Sequence, residues 1–220
     1  MLILAFVNQI KTMPKILFIA IHRPDRSPSQ RFRFEQYLNF LQSKGWEYEF
    51  SYLISENDDQ SFYKEGRFFK KVSIFIKAIF IRLKDVLRAS KFDVIFIQRE
   101  AFFTGTTFFE QQFSNSKAKL IFDFDDAIWL PNVSSANKKL EWLKNGTKTK
   151  KIIAISDLVI AGNQFLANFA LEFNKKTIVI PTTIDLDYHK IKKVDKTDKI
   201  TIGWTGTSTT LGYFEEILPI

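Results

Sequence analysis

Cysteine is absent from this chain of 220 residues, and histidine occurs only twice, as His22 and His189. Without cysteine there is no disulfide framework and no thiolate to act as nucleophile or metal ligand. Two histidines far apart in the sequence argue against a zinc site, which needs several such ligands. These absences exclude small disulfide-stabilised folds and cysteine enzymes, and they favour a cytoplasmic protein.

Long apolar runs are also lacking, and none reaches the length that crosses a bilayer. The nearest case is MLILAFVNQIKTMPKILFIAI at residues 1–21, which Lys11, Pro14 and Lys15 interrupt. No basic region precedes its apolar part and no small-residue cleavage site follows, so it is not typical of a signal peptide. We predict an N-terminal extension over residues 1–12 and a folded part that starts at residue 13.

Acidic residues are scarce in one segment, residues 61–91, which contains nine Lys or Arg and two acids. This segment therefore holds nearly all of the net charge of +8. The sequence has no aromatic-plus-basic strand pattern and no zinc finger, so we predict no nucleic-acid partner. Apolar residues from Phe68 to Leu87 recur at near-helical spacing. The pattern is usual for a helix packed on a core, and it also fits peripheral contact with an anionic membrane through residues 61–91.

Short apolar segments alternate with longer amphipathic ones along most of the chain. We predict strands at 15–21, 46–54, 93–99, 118–126, 157–162 and 176–184, and helices at 31–45, 62–90, 136–153 and 163–174. Strands that are apolar on both faces and are joined by helices are typical of a parallel sheet covered on both sides. The predicted fold class is therefore α/β, with a Rossmann-like parallel sheet. Ligands of such sheets bind beyond the carboxyl ends of the strands.

The last part of the chain indicates a second domain. The polar segment HKIKKVDKTDK predicts a linker over residues 189–199, after an α/β domain over residues 13–188. Residues 200–220 then show a strand, a glycine-containing loop and helical spacing, as at the start of another α/β domain. The loop residues suited to contact phosphate are Gly203, Gly206, Thr207 and Ser208.

Basic and hydroxyl side chains follow the first predicted strand. The candidates for binding phosphate or carboxylate there are Arg23, Ser27, Ser29, Arg31 and Arg33. A helix that begins near Ser29 would offer free amides, and arginine makes bidentate contacts with such anions. The alternative is a capping turn with solvated arginines.

Single polar residues end three other strands. Arg99 and Glu100 follow the third, where they either pair with each other or contact a substrate. Asn163 follows the fifth and suits a helix N-cap, and Thr182 lies at the end of the sixth. All four are candidate binding residues.

An acidic cluster, FDFDDAIW, begins within the fourth predicted strand and continues past its end. Asp123 and Asp125 share one face of the strand, and Asp126 lies at its end. One interpretation is a DxD site, where Mg²⁺ or Mn²⁺ bridges a nucleotide diphosphate. A second is that one aspartate orients a sugar hydroxyl while another caps a turn, and a third is bracing of the loop alone.

Several segments in order resemble the family 4 (group 1) glycosyltransferases of the GT-B fold, from about residue 14 to residue 220. They are SQRFRFEQYLNFLQSKGWEYEF, DVIFIQRE, KLIFDFDDAIW, SDLVIAGNQFLANFALEFNKKTIVIPTTIDLDYH and ITIGWTGTSTTLGYFEEILP. The resemblance implies two Rossmann-like domains, an acceptor-binding one followed by one that binds a nucleotide-sugar donor. It further implies transfer with retention of configuration and no cofactor or obligatory metal.

By this resemblance, Asp123, Asp125 and Asp126 would be catalytic residues that face the cleft between the domains. The loop from Arg23 to Arg33 would lie beside the donor phosphates and acceptor, and Gly203 to Ser208 near the diphosphate. The implied partners are a nucleotide-sugar donor and a glycan or lipid-linked acceptor of cell-surface polysaccharide synthesis. The implied location is the cytoplasm, at the inner face of the membrane.

The sequence also departs from the family's pattern. The Glu-x7-Glu donor element is not among these 220 residues, RPDRSPS replaces a two-glycine loop, and GWTGTSTTLGYF lacks the usual Arg and Lys. The expectation is an acceptor half with the first strand, loop and helix of a donor half, inactive by itself. Two alternatives remain, a non-catalytic half that binds an acceptor or a separate donor-domain chain, and a metal-dependent DxD transferase.

Overall fold

A six-stranded sheet organises the chain. The computed structural model describes residues 13–64, 66–130, 146–186 and 188–190. The strands are β1 (Lys15–His22), β2 (Glu47–Ile54), β3 (Val94–Gln98), β4 (Lys119–Phe124), β5 (Leu158–Ala161) and β6 (Thr177–Val179). All neighbours pair in parallel, in the order β2-β1-β3-β4-β5-β6. The α/β, Rossmann-like prediction is thereby confirmed for this part of the chain.

Helices connect the strands. They are α1 (Pro28–Arg33), α2 (Leu38–Ser43), α3 (Glu56–Phe62), α4 (Phe68–Arg88), α5 (Phe108–Ser114), α6 (Thr147–Ile155) and α7 (Gln164–Leu171). None of these described helices has both the length and the apolar character that crossing a membrane requires.

Both faces of the sheet are buried, which is why its strands are apolar at consecutive positions. The larger core packs one face, with Phe122 and Phe124 of β4, against helices α4 to α7. The smaller core packs the other face, with Phe18 and Ile121, against the segment that contains α1 and α2. Side chains of β4 therefore alternate between the two cores, and Asp123 lies on the α1 side.

The predicted helix over residues 31–45 is wrong in its boundaries and continuity. Helix α1 starts earlier, with Pro28 in its first turn, and ends at Arg33 because Phe34 leaves the helical conformation (φ −146°, ψ −32°). The ring of Phe34 stacks on Phe18, with 4.8 Å between centroids, and contacts Phe50 and Phe96. Burial of this ring in the smaller core outweighs continuation of the helix.

The predicted helix over residues 62–90 begins later than expected, at Phe68. Gly66 and Arg67 both have positive φ angles, 72° and 52°, so the chain turns between α3 and α4. Helix α4 then packs on the sheet through Ile74 and Ala78.

One arginine anchors α4 to two strands. The side chain of Arg82 is fully buried and donates to the carbonyl oxygens of Ala20 and Ala101, each at 2.6 Å. Its guanidinium also lies 3.0 Å from the carboxylate of Asp85. Burial lowers the pKa of Arg82 to about 10, so the group stays charged at neutral pH.

Several predictions lie outside the described residues. They are the extension over residues 1–12, the first part of the helix over 136–153, nearly all of the linker and the domain start over 200–220. Gly203, Gly206, Thr207 and Ser208 belong to this last segment.

Candidate functional site

The carboxyl ends of β1, β3 and β4 bring most of the predicted site residues to one edge of the sheet. The chain leaves β1 toward β2 on one side, whereas β3 and the later strands follow on the other. Such a reversal of strand order is where ligands bind in open α/β sheets. Helix α1, which contains Ser29, and the loop after β3, which contains Arg99, flank this point.

A buried ion pair, Arg33 with Asp123, joins α1 to β4. The Nε atom of Arg33 lies 3.1 Å from both carboxylate oxygens of Asp123, and its Nη2 atom donates to the same group. Its Nη1 atom donates to the carbonyl of Ile180 at 2.5 Å and lies 3.5 Å from Oγ1 of Thr182. The pair therefore fixes the segment after β6 as well, and Thr182 itself is exposed.

The surroundings of this pair act on the pKa values of both groups. Burial raises the pKa of Asp123 to about 6, against the opposing effect of the Arg33 guanidinium. Burial works to lower the pKa of Arg33, but the hydrogen bonds and charge of Asp123 outweigh it, and the pKa is raised. At neutral pH both side chains are therefore charged.

A second network joins the loops after β1, β3 and β4. Ser29 donates to Asp125 at 2.5 Å and accepts from the amide of Gln98 at 2.8 Å. Arg99 donates from Nε to Asp125 at 3.0 Å and from Nη2 to Asp126. Three loops that are distant in sequence are thus held together by one serine and one arginine.

Arg99 has an unusual backbone conformation, with φ at 64°. An L-residue in the left-handed region costs about 1–2 kcal/mol relative to the right-handed one. The conformation turns the chain out of β3 and points the guanidinium toward the loop after β4. Such strain persists where the surrounding structure determines it, and it is common at functional sites.

The three aspartates each contact an arginine. Strand β4 ends at Phe124, so Asp125 lies just beyond the strand and not on it, although α1 contacts both Asp123 and Asp125. No group of three or more acidic or histidine side chains suited to a metal ion occurs in the part of the chain that the structure describes. A divalent cation at the DxD triplet would have to compete with the guanidinium groups of Arg33 and Arg99. In this structure the three carboxylates are engaged by those two arginines.

The arginines of the loop after β1 differ in their contacts. Arg23 lies 3.2 Å from a carboxylate oxygen of Asp59 in α3, and Arg26 lies 2.5 Å from the same oxygen. Among the described residues, Arg31 makes no salt bridge within 4 Å, and its buried Nε atom has no hydrogen-bond partner. Ser27 is the N-cap residue of α1, although its hydroxyl makes no capping bond. Of these three arginines, Arg31 is therefore the one that has no acidic partner among the described residues.

Glu100 does not pair with Arg99, and that interpretation of the two residues is wrong. Because Arg99 is left-handed, the two side chains diverge, and Glu100 accepts from Nζ of Lys148 in α6 at 2.9 Å. Lys148 also donates to the carbonyl of Thr104 at 2.8 Å and lies 3.5 Å from buried Glu110. Lys148 thus holds the loop after β3 in place.

The end of β5 contributes two contacts. Asn163 caps α7, accepting from the backbone amide of Leu166 at 2.9 Å, which confirms the predicted cap. Gly162 lies against Asp125: a Cβ atom at residue 162 would come within 3.0 Å of the Cα atom of Asp125. The acidic loop therefore rests directly on this glycine.

Sequence reasoning missed His22, the last residue of β1. Its Nε2 atom lies 3.2 Å from the hydroxyl of Tyr63, and its Nδ1 atom is buried without a partner among the described residues. Burial lowers the pKa of His22, and the charge of Arg26 adds to the effect. The signal available in the sequence was its position at a strand end.

Comparison with known proteins gives no family assignment. The sequence matches no protein-family model, and a search of curated proteins finds no match.

Proposed function

We propose that the chain is the acceptor-side part of a retaining GT-B glycosyltransferase. It would transfer a sugar from a nucleotide-sugar donor to a glycan or lipid-linked acceptor in the synthesis of cell-surface polysaccharide. The observation that supports this most is the arginine–carboxylate network of Ser29, Arg99, Asp125 and Asp126, which lies at the reversal of strand order. The order of motifs along the sequence supports the same assignment.

The chemistry of this edge suits both partners of the reaction. A diphosphate leaving group carries negative charge that guanidinium groups stabilise. Arg31 and Arg99 are partly exposed at this edge and make no salt bridge to α3. Sugar hydroxyl groups donate to carboxylates, and Asp126 is exposed. In the transfer, the bond from the sugar C1 atom to the diphosphate breaks, a bond to an acceptor oxygen forms, and the hydroxyl proton leaves with the phosphate.

The test is transfer of labelled sugar from a panel of nucleotide sugars to lipid and glycan extracts, with the polypeptide of the whole reading frame. Arg99→Ala is expected to lower kcat/KM by roughly 10²-fold, as for loss of one transition-state donor. Lys44→Ala is the control, because Lys44 lies before β2 at the opposite edge of the sheet. Equal rates for Arg99→Ala and the control contradict the proposed role.

Two further outcomes separate the alternatives. EDTA is expected to leave the transfer rate unchanged, whereas a DxD metal site would lose its activity. No turnover with any donor, together with retained binding of an acceptor extract, would favour the non-catalytic half. That outcome would end the proposal of catalysis.

A further inference from the structure

Helix α4 has a second apolar face, which points away from the sheet. Residues at intervals of three or four make up this outer stripe: Phe69, Val72, Ile76, Phe80, Leu83 and Leu87. The core-facing residues Ile74 and Ala78 lie on the opposite side of the helix, at the angles that 3.6 residues per turn require. The helix therefore has two apolar faces, one packed on the core and one that faces outward.

The outer stripe is well exposed in the part of the chain that the structure describes. Relative exposure is 86% for Phe69, 67% for Phe80 and 87% for Leu87. A shallow groove of about 500 Å³ runs along it and includes Ile76 and Lys84 in its lining. Contiguous apolar surface of this kind marks an interaction site.

The charged side chains that α4 itself contributes to one flank of the stripe are all lysines. Lys70, Lys77 and Lys84 recur every seven residues along one flank, so they form a row next to the aromatic rings. The one acidic residue of α4 is Asp85, which is buried with Arg82. Lys70 and Lys84 make no salt bridge within 4 Å to any described residue, whereas Lys77 pairs with Asp58. The outer face of α4 thus presents positive charge and aromatic rings together.

We propose that this outer face docks on an anionic lipid bilayer. Phenylalanine and leucine side chains enter the boundary between headgroups and acyl chains, while lysines bind the anionic headgroups. Contact with a second copy through the same face would bring two lysine rows together with no exposed acid on either helix to pair them. The charge therefore favours lipid over self-association.

The same helix connects the docking surface to the candidate site. The ring of Phe75 lies 5.4 Å from that of Phe102 and 5.7 Å from that of Phe103, which follow β3. The amino-terminal half of α4, through Phe75, therefore packs against the loop that follows Arg99. Docking places that loop beside the bilayer.

The test is co-sedimentation of the purified chain with vesicles, with no donor or acceptor present, so that its outcome is independent of the proposed sugar transfer. Binding is expected to phosphatidylcholine vesicles that contain phosphatidylglycerol. It is expected to weaken at about 1 M salt, where the Debye length is ~3 Å. Each lysine near an anionic surface adds roughly fivefold to the affinity.

Two double variants address the two features of the face. One double variant is Lys70→Glu with Lys84→Glu, and the other is Phe69→Ser with Phe80→Ser. Each is expected to lower the partition coefficient at least tenfold, because it removes two headgroup contacts or two inserted rings. Because all four side chains are exposed, circular dichroism is expected to show unchanged folding. Lys175→Glu with Lys176→Glu is the matched charge control, and Phe165→Ser on α7 is the matched aromatic control.

Three results would overturn the proposal. One is absence of wild-type binding to anionic vesicles, and another is equal binding by the α4 variants and their controls. The third is a stable dimer that Phe69→Ser with Phe80→Ser converts to monomer without any change in vesicle binding, which would assign the face to a second copy.

Discussion

Arg33 and Asp123 place a positive and a negative charge inside the protein, where their side chains are almost completely shielded from water. Removing one charge leaves the other buried without its partner, which typically costs about 3–5 kcal/mol. Asp123→Asn and Arg33→Met are each expected to lower the free energy of unfolding by about that amount. The double variant is expected to lose less than the sum of the two, because no uncompensated charge remains.

Urea denaturation of the four proteins measures this cycle. Losses that add without a coupling energy would show that the pair does not act as a unit. The cycle measures the structural role of Asp123 alone, since it contains no substrate.

His22 gives a pH dependence whose sign follows from its burial. Because the folded pKa lies below 6.5, the folded protein takes up fewer protons than the unfolded chain as the pH falls below neutral. The contribution of His22 to stability is complete above pH 6.5, the ordinary value, and is lost as the pH falls through the folded pKa. NMR titration of the ring protons measures this pKa, and His189→Asn identifies the signal, since the chain has two histidines. A value at or above 6.5 would contradict the prediction.

Among the elements, the contact between the end of β5 and the loop after β4 requires glycine at residue 162, because a side chain there would meet Asp125. Gly162→Ala places a methyl group 3.0 Å from the Cα atom of Asp125, where backbone rather than a flexible side chain has to move. Such overpacking costs about 1–3 kcal/mol. Thermal unfolding is expected to show the loss, and the network of Asp125 with Ser29 and Arg99 is expected to loosen with it. An unchanged melting temperature would mean that the loop shifts freely.

A second glycine, Gly45, serves as a comparison in which substitution affects only the backbone conformation and causes no crowding. Gly45 has φ at 80° and open space around a hypothetical Cβ atom. Gly45→Ala is therefore expected to be destabilising only through its left-handed conformation, by about 1 kcal/mol.

At the scale of the whole molecule, the sheet could be predicted from the sequence because its strands are apolar on both faces. The break at Phe34 could not, since it depends on the rings of Phe18 and Phe96, which come from other strands. Arg99 was placed at a strand end correctly, but a positive φ is uncommon for arginine and nothing local indicates it. Of its two interpretations, pairing with Glu100 is therefore wrong, whereas contact with a substrate stays a prediction.

The candidate site consists of pairs that lie far apart along the chain. Arg33 and Asp123 are separated by 90 positions, and Ser29 and Asp125 by 96. A single sequence shows which residue types follow each strand, and a parallel sheet places them all at its carboxyl-terminal edge. Which of them meet depends on strand order, which apolar periodicity leaves open.

The bonds of Arg82 to Ala20 and Ala101 have a mechanical consequence. Sliding α4 along the sheet by one helical turn would break both bonds at once and leave buried guanidinium donors without their carbonyl partners, so the helix is held in register with β1 and with the loop after β3. A displacement of α4 is therefore expected to displace the end of β1 and the start of the loop after β3 with it. If α4 lies flat on a surface, the fold therefore fixes the angle between that surface and the sheet edge that carries Arg33 and Arg99.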